Sequence, residues 1–141
     1  MKISKQFLIP LSILMISSIG LTSCGGGTKP ASSLEGTHWQ LSSVNWRVLR
    51  NKLSKRMTIN FNSKRATGSS GCNRYFANYT LSAKNAVHFS AIGSTKMLCK
   101  PRFMKIERKF LEALRGASSY RISSGELMIE GSGATLKFRK P

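Results

Sequence analysis

The sequence contains no Asp at all, and its five acidic residues are all glutamate: Glu35, Glu107, Glu112, Glu126 and Glu130. An Asp-based catalytic site or an Asp-rich calcium loop therefore cannot be built from one copy of the chain. Cysteine is scarce, with three residues and no Cys-x-x-Cys pair, and histidine occurs twice. With 141 residues there is room for one domain and not for two. Positive charge, by contrast, is plentiful: 23 Lys and Arg give a formal net charge of +18. Apolar residues at 40% and 12 Gly are a globular composition, neither a disordered one nor a membrane-embedded one.

The N-terminus carries Lys2 and Lys5, then an apolar run from Phe7 to Leu21 interrupted by Pro10, Ser12, Ser17 and Ser18. A bilayer-spanning helix needs about 20 apolar residues, so this shorter run reads as the core of a signal peptide spanning residues 1–23. It ends in Leu21, Thr22, Ser23 and Cys24, which resemble the lipobox of bacterial lipoproteins, whose Cys accepts a diacylglycerol before cleavage. The competing reading is an ordinary cleaved signal in which Cys24 is incidental. Residues 24–33 form a glycine-rich tether, and nine such residues reach roughly 15–18 Å. Gly25 stands where inner-membrane lipoproteins commonly carry Asp, so the resemblance implies the periplasmic face of an outer membrane.

From residue 34 to 141 the pattern changes to period 2. Met57 to Asn62 alternates most clearly, and Trp39 to Val44, Tyr75 to Leu81, Val87 to Ser90, Tyr120 to Ser123, Leu127 to Glu130 and Leu136 to Arg139 are further strand candidates. Ser124 and Gly125 stand at two-residue hairpin spacing, which makes the last three strands a meander. One segment departs from the rule: Phe103, Ile106, Phe110, Ala113 and Leu114 recur at helical spacing, with Pro101 before them and Gly116 after. Short strands plus one late helix, without a βαβ rhythm, predict a mainly β (α+β) domain: a small antiparallel barrel or sandwich.

Three blocks resemble the META domain family, whose bacterial members include the heat-shock protein HslJ. They are Leu34 to Leu41 at the start, Gly71-Cys72-Asn73-Arg74-Tyr75-Phe76 with Tyr79 and Leu81 in the centre, and Ser94 to Cys99. Glu107, Phe110, Ala113, Leu114, Tyr120, Ile122, Leu127, Ile129, Gly133, Leu136 and Phe138 continue the match to the end of the domain. The resemblance implies a compact barrel-like fold with a helix at one side and an association with stress tolerance and the envelope, and it implies no defined reaction. Residues 47–56 depart from the family pattern, with Arg47, Arg50, Lys52, Lys55 and Arg56 crowded between the first two predicted strands.

With Cys24 acylated, Cys72 and Cys99 are the two thiols left in a compartment where disulfides persist, and pairing them is the economical reading. Two alternatives stay open: buried free thiols, and a reactive Cys72, which would need a base or a lowered pKa. A zinc site from His38, His88 and both cysteines lacks the closely spaced ligand pairs such sites use, so no metal and no cofactor are expected. Asn73, Arg74, Tyr75, Tyr79 and Thr95 are a candidate ligand patch; the structural alternative has Asn73 shaping a turn, Tyr79 packing and Arg74 covering a sheet edge.

Losing Lys2 and Lys5 with the signal lowers the formal charge from +18 to about +16. Such a surface attracts polyanions; the competing reading is a proteome-wide basic bias or a solubility feature. Export excludes nucleic acid as the expected partner and leaves anionic lipid, lipopolysaccharide and acidic wall polymers, with Arg47, Arg50, Lys52, Lys55 and Arg56 as the candidate contact segment. The expectation is a non-enzymatic envelope lipoprotein that binds an anionic component or a protein partner. Its rivals are an accessory protein that inhibits or escorts another envelope protein, and a Cys72-dependent enzyme.

Overall fold

The computed structural model describes residues 33–141. The signal, Cys24 and the tether up to residue 32 lie outside the described residues. The chain runs through β1 (His38–Val44), β2 (Arg47–Val48), a single helical turn α1 (Asn51–Ser54), β3 (Thr58–Asn62), β4 (Arg65–Ser69), β5 (Arg74–Ser82), β6 (Ala86–Ser94), the helix α2 (Pro101–Arg115), β7 (Ala117–Ser123), β8 (Glu126–Gly131) and β9 (Ala134–Arg139).

Every pairing is antiparallel. From β3 to β9 each strand pairs with its successor in sequence, β3 pairs with β1, and β1 pairs with β9 through Gln40–Arg139, Leu41–Phe138, Ser43–Lys137 and Val44–Leu136. That last ladder closes an eight-stranded barrel and removes the sheet edges that an open sheet leaves unpaired. Between the barrel and sandwich left open by the sequence, closure selects the barrel. The short β2 folds back on the end of β1, alongside β3 on the same edge.

Alternation decides what fills the interior. Trp39 and Leu41 of β1, Ile59 and Phe61 of β3, Tyr75, Ala77 and Tyr79 of β5, Val87 and Phe89 of β6, and Leu136 and Phe138 of β9 all point inward and are buried. An eight-stranded barrel is just wide enough to be filled by such side chains. Phe61 meets Tyr79 edge-on at 5.1 Å, and Phe89 leans on both rings. Each large side chain withdrawn from water in this way contributes about 1.5–3 kcal/mol.

Between β6 and β7 the ladder is reduced to one pair, Ala86–Ser119, and α2 is inserted in the connection. The helix buries Phe110, Leu111, Ala113 and Leu114. Phe110 sits between Tyr75 (5.3 Å) and Phe138 (6.4 Å), rings from β5 and β9, so α2 closes the barrel at that end. Pro101 opens it, where a missing N–H costs no helical hydrogen bond.

The predicted strands and helix lie where the alternation placed them, with two additions. β4 was not among the expected strands, and residues 47–56 form β2 and α1 where the sequence suggested only a basic connection. Among the described residues no helix is long and apolar enough to cross a membrane.

Candidate functional site

The central sequence block folds into the β4–β5 turn. Gly71 there has φ +102°, a conformation that L side chains rarely adopt. Cys72 then faces the segment following β6 and is bonded to Cys99, with the two Cα atoms 6.1 Å apart. The disulfide ties the turn to the last residues before α2. In the chain-entropy model, closing a loop of 27 residues contributes roughly 3.5 kcal/mol.

Asn73 is the hub beneath this bond, with 3% of its surface exposed. Its Oδ1 accepts hydrogen bonds from the Thr95 hydroxyl (2.8 Å) and the Met97 N–H (2.7 Å). Its Nδ2 donates to Glu107 Oε1 (2.8 Å), and its backbone N–H donates to Glu107 Oε2 (2.9 Å). The Ser70 hydroxyl donates to the same Oε2 at 2.6 Å. One carboxylate from α2 and one amide from the turn thus join three chain segments, and every polar atom of the pair has a partner. A buried network of this kind stabilises when it is complete and destabilises when one member is lost.

Glu107 was not among the expected site residues. Its signal is in the sequence nonetheless: it falls four residues after Phe103 and three before Phe110, a lone acid on the apolar stripe of α2.

The five residues of the candidate ligand patch do not share one surface. Asn73 is enclosed by the network, and the Thr95 hydroxyl contacts Asn73 and the Arg74 N–H. Tyr75 and Tyr79 point into the barrel, where burial raises both phenol pKa values; Glu35 and then Tyr120 add to the rise at Tyr79. The Tyr75 hydroxyl donates to the Thr58 carbonyl (2.9 Å). Arg74 faces outward, beside a groove of about 390 Å³ that Thr58, Asn60, Thr67 and Ser69 also line. Gly68 lets β4 lie tight against the Thr58 backbone at that wall, because a Cβ there would lie 2.0 Å from the Thr58 carbonyl oxygen.

His38 and His88 are exposed; the His38 ring meets the Asn60 side chain. Both cysteines being oxidised, neither is available as a zinc ligand with these imidazoles.

Arg47, Arg50, Lys52, Lys55 and Arg56 are exposed along β2, α1 and the residues just after it. The segment is fixed from beneath: the Ser54 hydroxyl donates to the Leu41 carbonyl (2.6 Å), and Leu49 and Leu53 pack against the core. Arg56 lies over the Phe103 ring at 5.9 Å. Among the described residues the one ion pair is Arg108–Glu112 on α2, at 3.9 Å and largely exposed, a kind of contact worth little. The basic surface is thus almost uncompensated.

A barrel closed by α2, with a disulfided Gly-Cys-Asn turn latched to the helix, can be set beside known proteins. The META domain family model matches residues 32–141. The chain belongs to the META domain family. No curated protein sequence matches it. Among solved structures, the META domain described above resembles the solution structure of a protein from Burkholderia xenovorans with TM-score 0.63 and 25% identity, over 77% of this chain and 83% of that one. A second solution structure gives TM-score 0.62 and 24% identity, over 76% and 91%. A DUF4847 family protein from Bacteroides vulgatus shares the fold at TM-score 0.55 and 17% identity, over 75% and 93%.

Proposed function

We propose that this META domain is carried by a lipoprotein anchored through Cys24, facing the periplasm from an outer membrane, and that it binds an anionic envelope component without catalysing a reaction. The observation that carries the reading is the uncompensated charge: Arg47, Arg50, Lys52, Lys55 and Arg56 are exposed on a firmly seated segment, with no carboxylate against them among the described residues. Lysine and arginine near an anionic membrane surface contribute about 1 kcal/mol each. The signal-like N-terminus and the lipobox-like Leu21-Thr22-Ser23-Cys24 support the location.

The disulfide favours this reading over the cysteine enzyme, since a reactive Cys72 would require a free thiol. The escort or inhibitor alternative predicts a stoichiometric protein complex that survives salt. The test is co-sedimentation of the domain beginning at Thr28 with neutral, anionic and lipopolysaccharide-containing vesicles, at low and physiological salt. Selective retention on one anionic surface at physiological salt is the expected result. Equal loss from all surfaces as salt rises would reduce the charge to bulk electrostatics and turn attention to a protein partner.

A further inference from the structure

The turn between β1 and β2 is built from Asn45 and Trp46, both left-handed, with φ of 48° and 64°. Two-residue hairpin turns of this form favour Asn followed by Gly, and a bulky side chain in the second position is a genuine outlier. Asn45 holds the turn in place: its N–H donates to the Thr135 carbonyl at 2.8 Å, and its Oδ1 accepts from the Thr135 N–H at 2.8 Å. The result is an indole displayed at a fixed hairpin tip, 62% exposed, with Val48 two residues further on at 84%. Lys137 Nζ lies 4.1 Å from the ring centroid, and Arg47, Arg50 and Lys52 are interleaved with or follow the apolar pair.

We infer that this tip is a membrane-docking element, in which Trp46 and Val48 enter the interfacial layer of an anionic lipid surface while Arg47, Arg50, Lys52 and Lys137 meet lipid phosphates. Tryptophan prefers that layer because its ring is apolar and its N–H is polar. A soluble acidic polymer would reward the cations but not the two apolar side chains, which is what favours a bilayer as the occupant. The inference rests on the anion-binding reading for its charges and adds the lipid surface to it. Met97 and Leu98, also exposed, form a second apolar pair beside Lys96 and Lys100 and serve as the control surface.

The chain has two tryptophans, and Trp39 is buried with 1% of its surface exposed, so a change in emission on docking reports Trp46. The full chain, reconstituted through its N-terminal segment into nanodiscs of phosphatidylcholine or of phosphatidylcholine with phosphatidylglycerol, is held close to lipid in both cases. In the anionic discs the emission is expected to shift to the blue and to be quenched by brominated acyl chains. In the neutral discs neither change is expected. Salt at 1 M, where the screening length is about 3 Å, reverses the shift. Val48→Ser weakens the shift and Leu98→Ser leaves it intact; Trp46→Gly, which suits the turn but removes the reporter, lowers retention on anionic vesicles in co-sedimentation.

Identical emission in both discs overturns the inference, as does undiminished retention of Trp46→Gly on anionic vesicles or a shift that is lost in Leu98→Ser but kept in Val48→Ser. If Trp46 stays silent while replacing the five basic residues still weakens vesicle binding, docking by the tip fails and the anion-binding reading stands. Silence in both measurements removes both.

Discussion

Two connections of this barrel are rich in polar groups, and they use them in opposite ways. In the β4–β5 turn, Asn73, Ser70 and the facing Glu107 and Thr95 are tied to one another, and the disulfide lies alongside. In the segment from Arg47 to Arg56 the charged groups face solvent, and what holds the chain is Ser54, Leu49, Leu53 and the backbone. Polar groups satisfied inside the protein are spent on holding it together, whereas unsatisfied groups at a rigid surface remain available to a ligand. The family block of this sequence is thus its stabilising latch, and the segment that departs from the family is the contact surface proposed above.

The largest test of that contrast is removal of the bond beside Asn73. Cys72→Ala with Cys99→Ala is expected to cost about 3.5 kcal/mol and to lower Tm by roughly 14–28 °C, by calorimetry under oxidising conditions. A loss below about 1 kcal/mol would mean that the polar network alone secures the turn. Asn73→Ala comes next, at about 2–3 kcal/mol in urea denaturation, because the Met97 N–H, the Thr95 hydroxyl and Glu107 Oε1 all lose a partner. Vesicle binding should be unaffected by this change once the protein is folded; a parallel fall in binding would place ligand contacts in the latch after all.

Trp46→Gly acts in the other direction, stabilising by about 1 kcal/mol through relief of the left-handed Trp, less whatever the contact with Lys137 contributes. Destabilisation would show that the indole serves the fold. The smallest expected effect on stability per residue comes from the boldest change in charge. Replacing Arg47, Arg50, Lys52, Lys55 and Arg56 with Gln should move the unfolding free energy by less than about 0.5 kcal/mol per site. The same variant should lose most of its retention on anionic vesicles. A variant that unfolds, or that still binds fully, would erase the distinction between the two connections.

Much of the architecture was legible because inward and outward positions alternate with large apolar residues. β1, β3, β5 and the terminal meander all carry that signal. β4 was missed because its inward residues are Ala66 and Gly68, too small to register as an apolar face, while Arg65, Thr67 and Ser69 read as a loop. The choice of barrel over sandwich depended on β1 meeting β9, a contact between opposite ends of the domain that no local spacing announces. Pairing Cys72 with Cys99 was the economical reading, with free thiols and a reactive Cys72 left open. Asn73 and Glu107 could not be paired, since a turn residue and a helix residue 34 positions apart show their relation only once the helix is docked. The strained Trp46 was equally hidden: the sequence displays a Trp next to an Asn but not the sign of its φ.

The β1–β9 ladder also governs when this protein can exist as a folded object. The first strand of the domain finds its second neighbour only in Ala134–Arg139, at the very end of the chain. Contacts of such separation make folding slow, since the closure entropy must be met before the ladder forms. However well its other strands pair, the barrel therefore cannot close until Ala134–Arg139 has reached β1. Closure becomes a checkpoint: neighbouring strands can pair locally, and the domain locks only when its two ends have met.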